Sequence, residues 1–181
     1  MKNFILIKKD IDVCAIVDEL GENDEAWKVH TRRKIRVQCQ RETESIFLRV
    51  ADRKDPDELS EEIHQSRDSS VSVNFGLTMA WLAAVERAFG GELGRALFAR
   101  LPPEGRVYRH FDRGSYYAPR HRFHLVLQSG GSMMRCGDEE VVMQEGELWV
   151  FNNKKKHESF NDSSQARTHL IFDVLLRESL L

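Results

Sequence analysis

His110 and Asp112 stand one residue apart in the basic, aromatic run from Arg106 to Tyr117. On a strand, side chains at i and i+2 leave by the same face, so an imidazole and a carboxylate at this spacing can reach one ion. Two histidines and a carboxylate on one face make the donor set of a ferrous site that keeps positions open for a co-substrate and oxygen. The remaining donor must come from elsewhere, and His121, His124, His157 and His169 are the candidates. His157 is favoured by position. It follows Asn-Asn-Lys-Lys-Lys in a turn, far enough beyond Asp112 for a strand of the opposite sheet to return to a barrel rim. The ligand types alone also admit manganese, cobalt, nickel or zinc. The bland alternative is an ordinary pair of polar strand residues, since a chain with 7 histidines and 29 acidic residues produces such pairs by chance.

The elements around these residues divide the chain by texture. Phe4 to Ile7 reads as a short strand, Asp10 to Leu20 as a helix, and KIRVQCQ (34–40) and ESIFLRV (44–50) as strands with alternating apolar positions. Residues 52–70 read as a polar, exposed connection that is either a lid or a surface loop. Leu77 to Phe89 is a helix with Leu77, Trp81, Leu82, Val85 and Phe89 on one face, stopped by Gly90-Gly91. After Gly91, short strand-like segments alternate with Gly, Pro, Asn and Asp, which predicts antiparallel strands in a jelly roll. Within them, Glu145-Gly146 reads as a turn feeding a buried strand with Trp149 and Phe151 on one face.

At 181 residues, 41% hydrophobic and 31% charged, the chain is expected to form one globular domain (1–181), with strands and helices over 1–90 and a metal-binding β core over 91–181. The formal net charge of -2 gives no reason to expect nucleic acid or an anionic membrane. The apolar run FILI is broken by Lys8, Lys9 and Asp10, so neither a signal peptide nor a spanning helix is expected there. Cys14, Cys39 and Cys136 are odd in number and widely spaced, which reads as reduced thiols in a cytoplasmic protein.

His110-x-Asp112, Arg122-Phe-His124, Gly146-Glu-Leu-Trp-Val-Phe-Asn152, His157 and Arg167 occur in that order. This ordered set resembles the aspartyl/asparaginyl β-hydroxylase family of iron(II)- and 2-oxoglutarate-dependent dioxygenases, over roughly Trp27 to Val174. The resemblance implies a mainly β fold with flanking helices, a double-stranded β-helix of the jelly-roll, cupin-like kind. It makes His110, Asp112 and His157 the iron ligands, and Arg167 the partner of the distal carboxylate of 2-oxoglutarate. A guanidinium suits that carboxylate, being bidentate and charged at every relevant pH. Arg122 and His124 share a face and, by resemblance, border the metal-bound end of 2-oxoglutarate or the substrate. Arg120 falls on the same face as a candidate for a substrate carboxylate, and Arg49 is another.

Two positions depart from relatives. Animal members have Gly where Asp112 stands, so the chain looks more like compact bacterial members. Relatives also have Ser near the position of Ala99, which implies that one hydrogen bond to 2-oxoglutarate is missing or supplied elsewhere. Asp112, by occupying a coordination position, implies hydroxylation rather than halogenation. The expected reaction uses iron(II), 2-oxoglutarate and O2, and releases succinate and carbon dioxide. The expected product is a β-hydroxylated residue such as Asp or Asn in a peptide or protein. A free amino acid such as proline is the alternative substrate, and a non-catalytic cupin-like binding module the alternative function.

Overall fold

The computed structural model describes residues 2–29, 37–55 and 57–177. Its strands are β1 (Phe4–Lys8), β2 (Glu44–Ala51), β3 (Ser66–Asp68), β4 (Glu92–Leu101), β5 (Arg106–His110), β6 (His121–Gln128), β7 (Met133–Cys136), β8 (Glu139–Val142), β9 (Leu148–Phe151), β10 (His157–Phe160) and β11 (Arg167–Leu175). Among the described residues, two α-helices, α1 (Cys14–Glu22) and α2 (Gly76–Phe89), precede β4. All eight strand-like segments after Gly91 are strands. They join a seven-stranded sheet, ordered β1-β9-β6-β11-β4-β2-β3, and a four-stranded sheet, ordered β5-β10-β7-β8. Every pairing is antiparallel. The fold is the expected mainly β, jelly-roll, cupin-like one with flanking helices.

Strand alternation explains where the core ends and the polar interior begins. On β6, Phe123, Leu125 and Leu127 join the larger apolar cluster with Leu82 of α2 and Ile16 of α1. The intervening Val126 joins a smaller cluster with Met134, Cys136 and Phe151. On β11, Leu170, Phe172 and Val174 pack into the larger cluster, which leaves Arg167, His169, Ile171 and Asp173 on the other face. One face of the large sheet is therefore the hydrophobic core. The other carries both the small apolar cluster and a row of buried polar side chains.

Several expected elements differ in detail. The first helix begins at Cys14, not Asp10; Asp10 has φ 58°, and the Asp12 carboxylate accepts the Cys14 N–H at 3.0 Å. Gln38–Gln40 form a 3₁₀ turn and not a strand, and residues 34–36 of that expected strand lie outside the described residues. Trp81, Leu82, Val85 and Phe89 do face the core, but Leu77 is 58% exposed. Its place on the inward stripe is taken by Thr78, because the Glu19 carboxylate draws the N–H groups of Leu77 and Thr78 and the Thr78 hydroxyl toward α1. That contact puts a carboxylate on the positive end of α2. The 52–70 connection contains a 3₁₀ turn (Ser60–Glu62) and β3, which extends the sheet edge.

Gly94 of β4 is required by packing. A Cβ there would sit 2.2 Å from the hydroxyl of Tyr116, a fully buried ring held between the guanidinium groups of Arg95 and Arg120 at 3.7 and 4.2 Å. The ring has no free direction in which to yield. Gly94→Ala is expected to destabilise the fold by about 1–3 kcal/mol, read as a lower midpoint in urea, whereas Gly21→Ala, in α1 with open space around it, does not lower the midpoint and raises it if anything.

Candidate metal centre

His110 closes β5 and His157 opens β10, and the two are register partners in the small sheet, with ring centroids 4.3 Å apart. The expectation of a return from the opposite sheet is thus corrected: the neighbouring strand supplies His157. Register slips between His157 and Ser159, and such bulges re-aim side chains beside sites. Asp112 lies beyond the end of β5. Its approach comes from a loop anchored by the Asp112 N–H on the Asn153 carbonyl at 2.9 Å, not from strand alternation. One ligand atom from each of His110, Asp112 and His157 falls within 4.8 Å of the others.

The surroundings orient all three groups. Nδ1 of His110 lies 2.7 Å from the Tyr108 carbonyl, and Nδ1 of His157 lies 2.9 Å from the Lys155 carbonyl. A carbonyl only accepts, so each ring carries its proton on Nδ1 and presents Nε2 as a lone pair. Burial pushes the His157 imidazole down to about 4, keeping it neutral. Asp112 receives two hydrogen bonds on one oxygen, from Arg122 Nη1 at 2.6 Å and Asn153 Nδ2 at 2.8 Å. Its Oδ1 is left for an ion. Desolvation works to raise the Asp112 pKa, but Arg122, His157 and the Asn153 hydrogen bond outweigh it and hold the carboxyl below its usual range. Two imidazole nitrogens and a carboxylate oxygen brought together from two chain segments suit a divalent transition metal.

Arg122 also grips Asp173 through Nε–Oδ1 at 2.8 Å and Nη2–Oδ2 at 2.9 Å. Next to it on the strand face, the buried His124 meets His169, Nδ1 to Nδ1 at 3.1 Å. Desolvation, with Arg167 nearby, drives both rings well below the ordinary histidine range, so both are neutral. His169 Nε2 is buried without a partner. With His169 donating to His124, that nitrogen is an unpaired acceptor and the other ring nitrogen of His124 becomes a donor.

The interior cavity beside the cluster is lined by His110, Arg122, His124, His157, Ser159 and Arg167, with Thr43, Gln40 and Ala99 among its other walls. Arg167 is 4% exposed and has no carboxylate partner among the described residues; its Nη1 donates to Ser159 Oγ at 2.9 Å and its Nε has no acceptor. Burial alone lowers its pKa to about 10, which leaves it charged at neutral pH. Thr43 Oγ1 and Gln40 Oε1 are likewise buried and unpartnered. A buried cation with unused donors is costly unless an anion completes it. The cavity therefore fits a carboxylate at the Arg167 end and a metal at the histidine end.

Two expected substrate residues are placed differently. Arg120 is 2% exposed, precedes β6, and donates to the carbonyls of Tyr116 and His64 at 3.0 Å, with Glu92 at 3.4 Å. It serves the interior, not the cavity. Arg49 borders the outer groove, but its guanidinium binds the Gly94 carbonyl, Asp68 and the Ser66 carbonyl. Both are held by the 60–68 segment, whose backbone also meets Arg95 and Tyr116. Ser60 and Glu61 of that segment line the groove. Sequence reasoning missed Asn153, Thr43, Ser159 and the partner role of His169. Alternation on β10 and β11 points to Ser159 and His169, whereas nothing local marks Asn153 or Thr43.

A family model described as aspartyl/asparaginyl beta-hydroxylase matches residues 18–176. No curated protein sequence matches the chain. Among solved structures, a prolyl-4-hydroxylase from Pseudomonas putida is similar with TM-score 0.56 and 18% identity, over 97% of this chain and 94% of that one. A 2OG-Fe(II) oxygenase family oxidoreductase from Burkholderia pseudomallei is similar with TM-score 0.54 and 12% identity, over 74% of this chain and 66% of that one. The plu4264 protein of Photorhabdus luminescens shares 18% identity with TM-score 0.37, over 44% of this chain and 60% of that one. The chain thus spans less than two thirds of two of these proteins. At these identities the likenesses describe the fold.

The geometry predicts one divalent ion per chain. His157→Ala and Asp112→Ala are expected to abolish binding in calorimetric titration with manganese(II). Asn153→Ala, which removes only a hydrogen bond to Asp112, weakens it by roughly tenfold with an unchanged circular dichroism spectrum.

Proposed function

The chain belongs to the aspartyl/asparaginyl β-hydroxylase family, and from that premise we propose that it is an iron(II)- and 2-oxoglutarate-dependent hydroxylase of an amino-acid residue, such as Asp or Asn, in a peptide or protein. The observation that carries the reading is the cavity that pairs His110 and His157, whose cluster with Asp112 closes to within 4.8 Å, with the buried, carboxylate-less Arg167. A residue-sized anion with a metal-binding head and a carboxylate tail satisfies both ends. In this reading residues 1–181 act as one dioxygenase domain.

Each residue then has a task. His110, Asp112 and His157 hold the metal, and Arg122 and Asn153 fix which oxygen of Asp112 faces it. Arg167 takes the distal carboxylate of 2-oxoglutarate bidentately. Ala99 offers no hydroxyl where relatives have Ser, and the unpartnered Thr43 Oγ1 in the same cavity supplies that hydrogen bond, with Ser159 orienting Arg167. His124, neutral and steadied by His169, donates toward the metal-bound end together with the remaining N–H groups of Arg122. When bound, iron with 2-oxoglutarate and oxygen supplies the oxidising power to place a hydroxyl on a C–H carbon, releasing succinate and carbon dioxide. The protein's contribution is to hold the target carbon beside the cluster and to exclude water.

An anaerobic difference spectrum tests this. Iron(II) followed by 2-oxoglutarate should give a visible charge-transfer band that needs both additions. Arg167→Ala should raise the 2-oxoglutarate Kd read from that band by roughly 10- to 100-fold, and Thr43→Val by roughly 3- to 10-fold, with Thr43→Ser close to the parent. Folded protein that binds iron but gives no band would leave a metal-binding module.

A further inference from the structure

The metal cluster has a second, open side. His110, Asp112 and Arg122 also border a surface groove of about 570 Å³, walled by Phe47, Val50, Leu97 and Tyr117 among others. His110 and Phe111 lead from it into a hollow of about 390 Å³ whose remaining lining is Arg109, Arg113 and Lys156. The cluster therefore sits between the cavity that holds Arg167 and this surface groove.

The charge of that surface is unusual for this protein. Arg109, Arg113 and Lys156 are exposed, and none forms an ion pair with a described carboxylate. By contrast, Arg135 lies against Glu140 and Glu158, and Arg67 lies 3.4 Å from Asp52. What distinguishes these three is that they line one hollow together, next to His110. They share one sign, so the hollow attracts an anionic partner and disfavours a cationic one. Phe111, half-buried between them, offers a flat apolar base, and the Arg113 guanidinium lies over its ring at 4.3 Å with its N–H edge available.

We propose that this face docks an acidic peptide segment: carboxylates flanking the target residue lie on Arg109, Arg113 and Lys156 while the target side chain enters the groove beside His110. The assignment rests on the hydroxylase reading and gives its substrate a class. It also replaces the substrate contacts expected from Arg120 and Arg49, whose guanidinium groups are already committed to internal carbonyls and carboxylates. A peptide is favoured over nucleic acid because three cations on a net anionic protein form a patch a few residues long, too short to track a phosphate backbone.

The test uses fluorescein-labelled, Asn-centred peptides with Asp/Glu, Ser or Lys flanks, titrated by anisotropy under nitrogen into protein loaded with iron(II) and 2-oxoglutarate. The acidic peptide is expected to bind about tenfold tighter than the serine one, to lose that advantage in high salt, and to lose it in Arg109→Ser/Arg113→Ser. The visible band of bound co-substrate serves as the control for an intact site in that variant. Equal affinity for acidic and neutral peptides, an unchanged preference in the double variant, or tighter binding of a single-stranded oligonucleotide would overturn the docking proposal with the band still present. Loss of the band in the parent protein, with acidic preference retained, would instead sink the hydroxylase reading and keep the docking surface.

Discussion

The interior of the site depends on one guanidinium shared by two carboxylates. Arg122 is 12% exposed, Asp112 and Asp173 are 9% and 2% exposed, and the pairs are 2.6 and 2.8 Å apart. Alone, any of these charges would be expelled from the interior or neutralised. Together they support one another, and the two carboxylates hold Arg122 charged against the desolvation that opposes it. Asp173 in turn accepts the hydroxyl of Tyr116, whose ring is clamped by Arg95 and Arg120. The orientation of Asp112 is thus fixed through Arg122 to the centre of β11 and, through Tyr116, to the packing at Gly94. Stability is a weak reason to keep such a network, since apolar residues of similar volume do as well. What it does provide is a carboxylate with one occupied oxygen and one free.

The same strands make the core and the site, by alternation alone. Phe123, Leu125 and Leu127 anchor β6 to the helices while Arg122 and His124 face the other sheet, and β11 repeats the pattern with Leu170, Phe172 and Val174 against Arg167, His169 and Asp173. A polar side chain on these strands is therefore positioned by the full apolar packing of its neighbours. Residues fixed in this way make poor solvated surface charges and good preorganised donors.

This alternation is also why much of the molecule was legible in the sequence. Short apolar runs bounded by Gly, Pro, Asn and Asp marked all eight strands after Gly91, and the ordered motifs contain His110, Arg122, His124, His157 and Arg167, which line one cavity, and Asp112, which clusters with two of them. Periodicity failed where a partner distant in sequence decides the outcome. Leu77 was placed on the core stripe of its helix because nothing local shows Glu19 capping that end. Arg120 shares the parity of Arg122 and His124, yet it lies before the strand begins, and the 60–66 segment and Tyr116 claim its guanidinium. Asp112 reaches the cluster although it lies outside the strand, through a backbone contact with Asn153 that no spacing rule contains. His157 was identified by motif and order, while the path of the chain that brings it there, along the adjacent strand, was not.

Charge balance connects the parts of the proposed site. Asp112, Asp173 and Arg122 together carry one net negative charge, which Arg167 balances overall but from the other end of the cavity, with only a serine hydroxyl for a neighbour. The imidazoles of His157, His124 and His169 are neutral and change nothing in this balance. A divalent metal alone would leave the interior strongly positive, and the dianionic co-substrate alone strongly negative. Both together keep the overall balance of the empty site within a low-dielectric interior, where imbalance is expensive. In the proposed site the two would therefore reinforce each other's binding, and Arg167 would gain its carboxylate with the co-substrate.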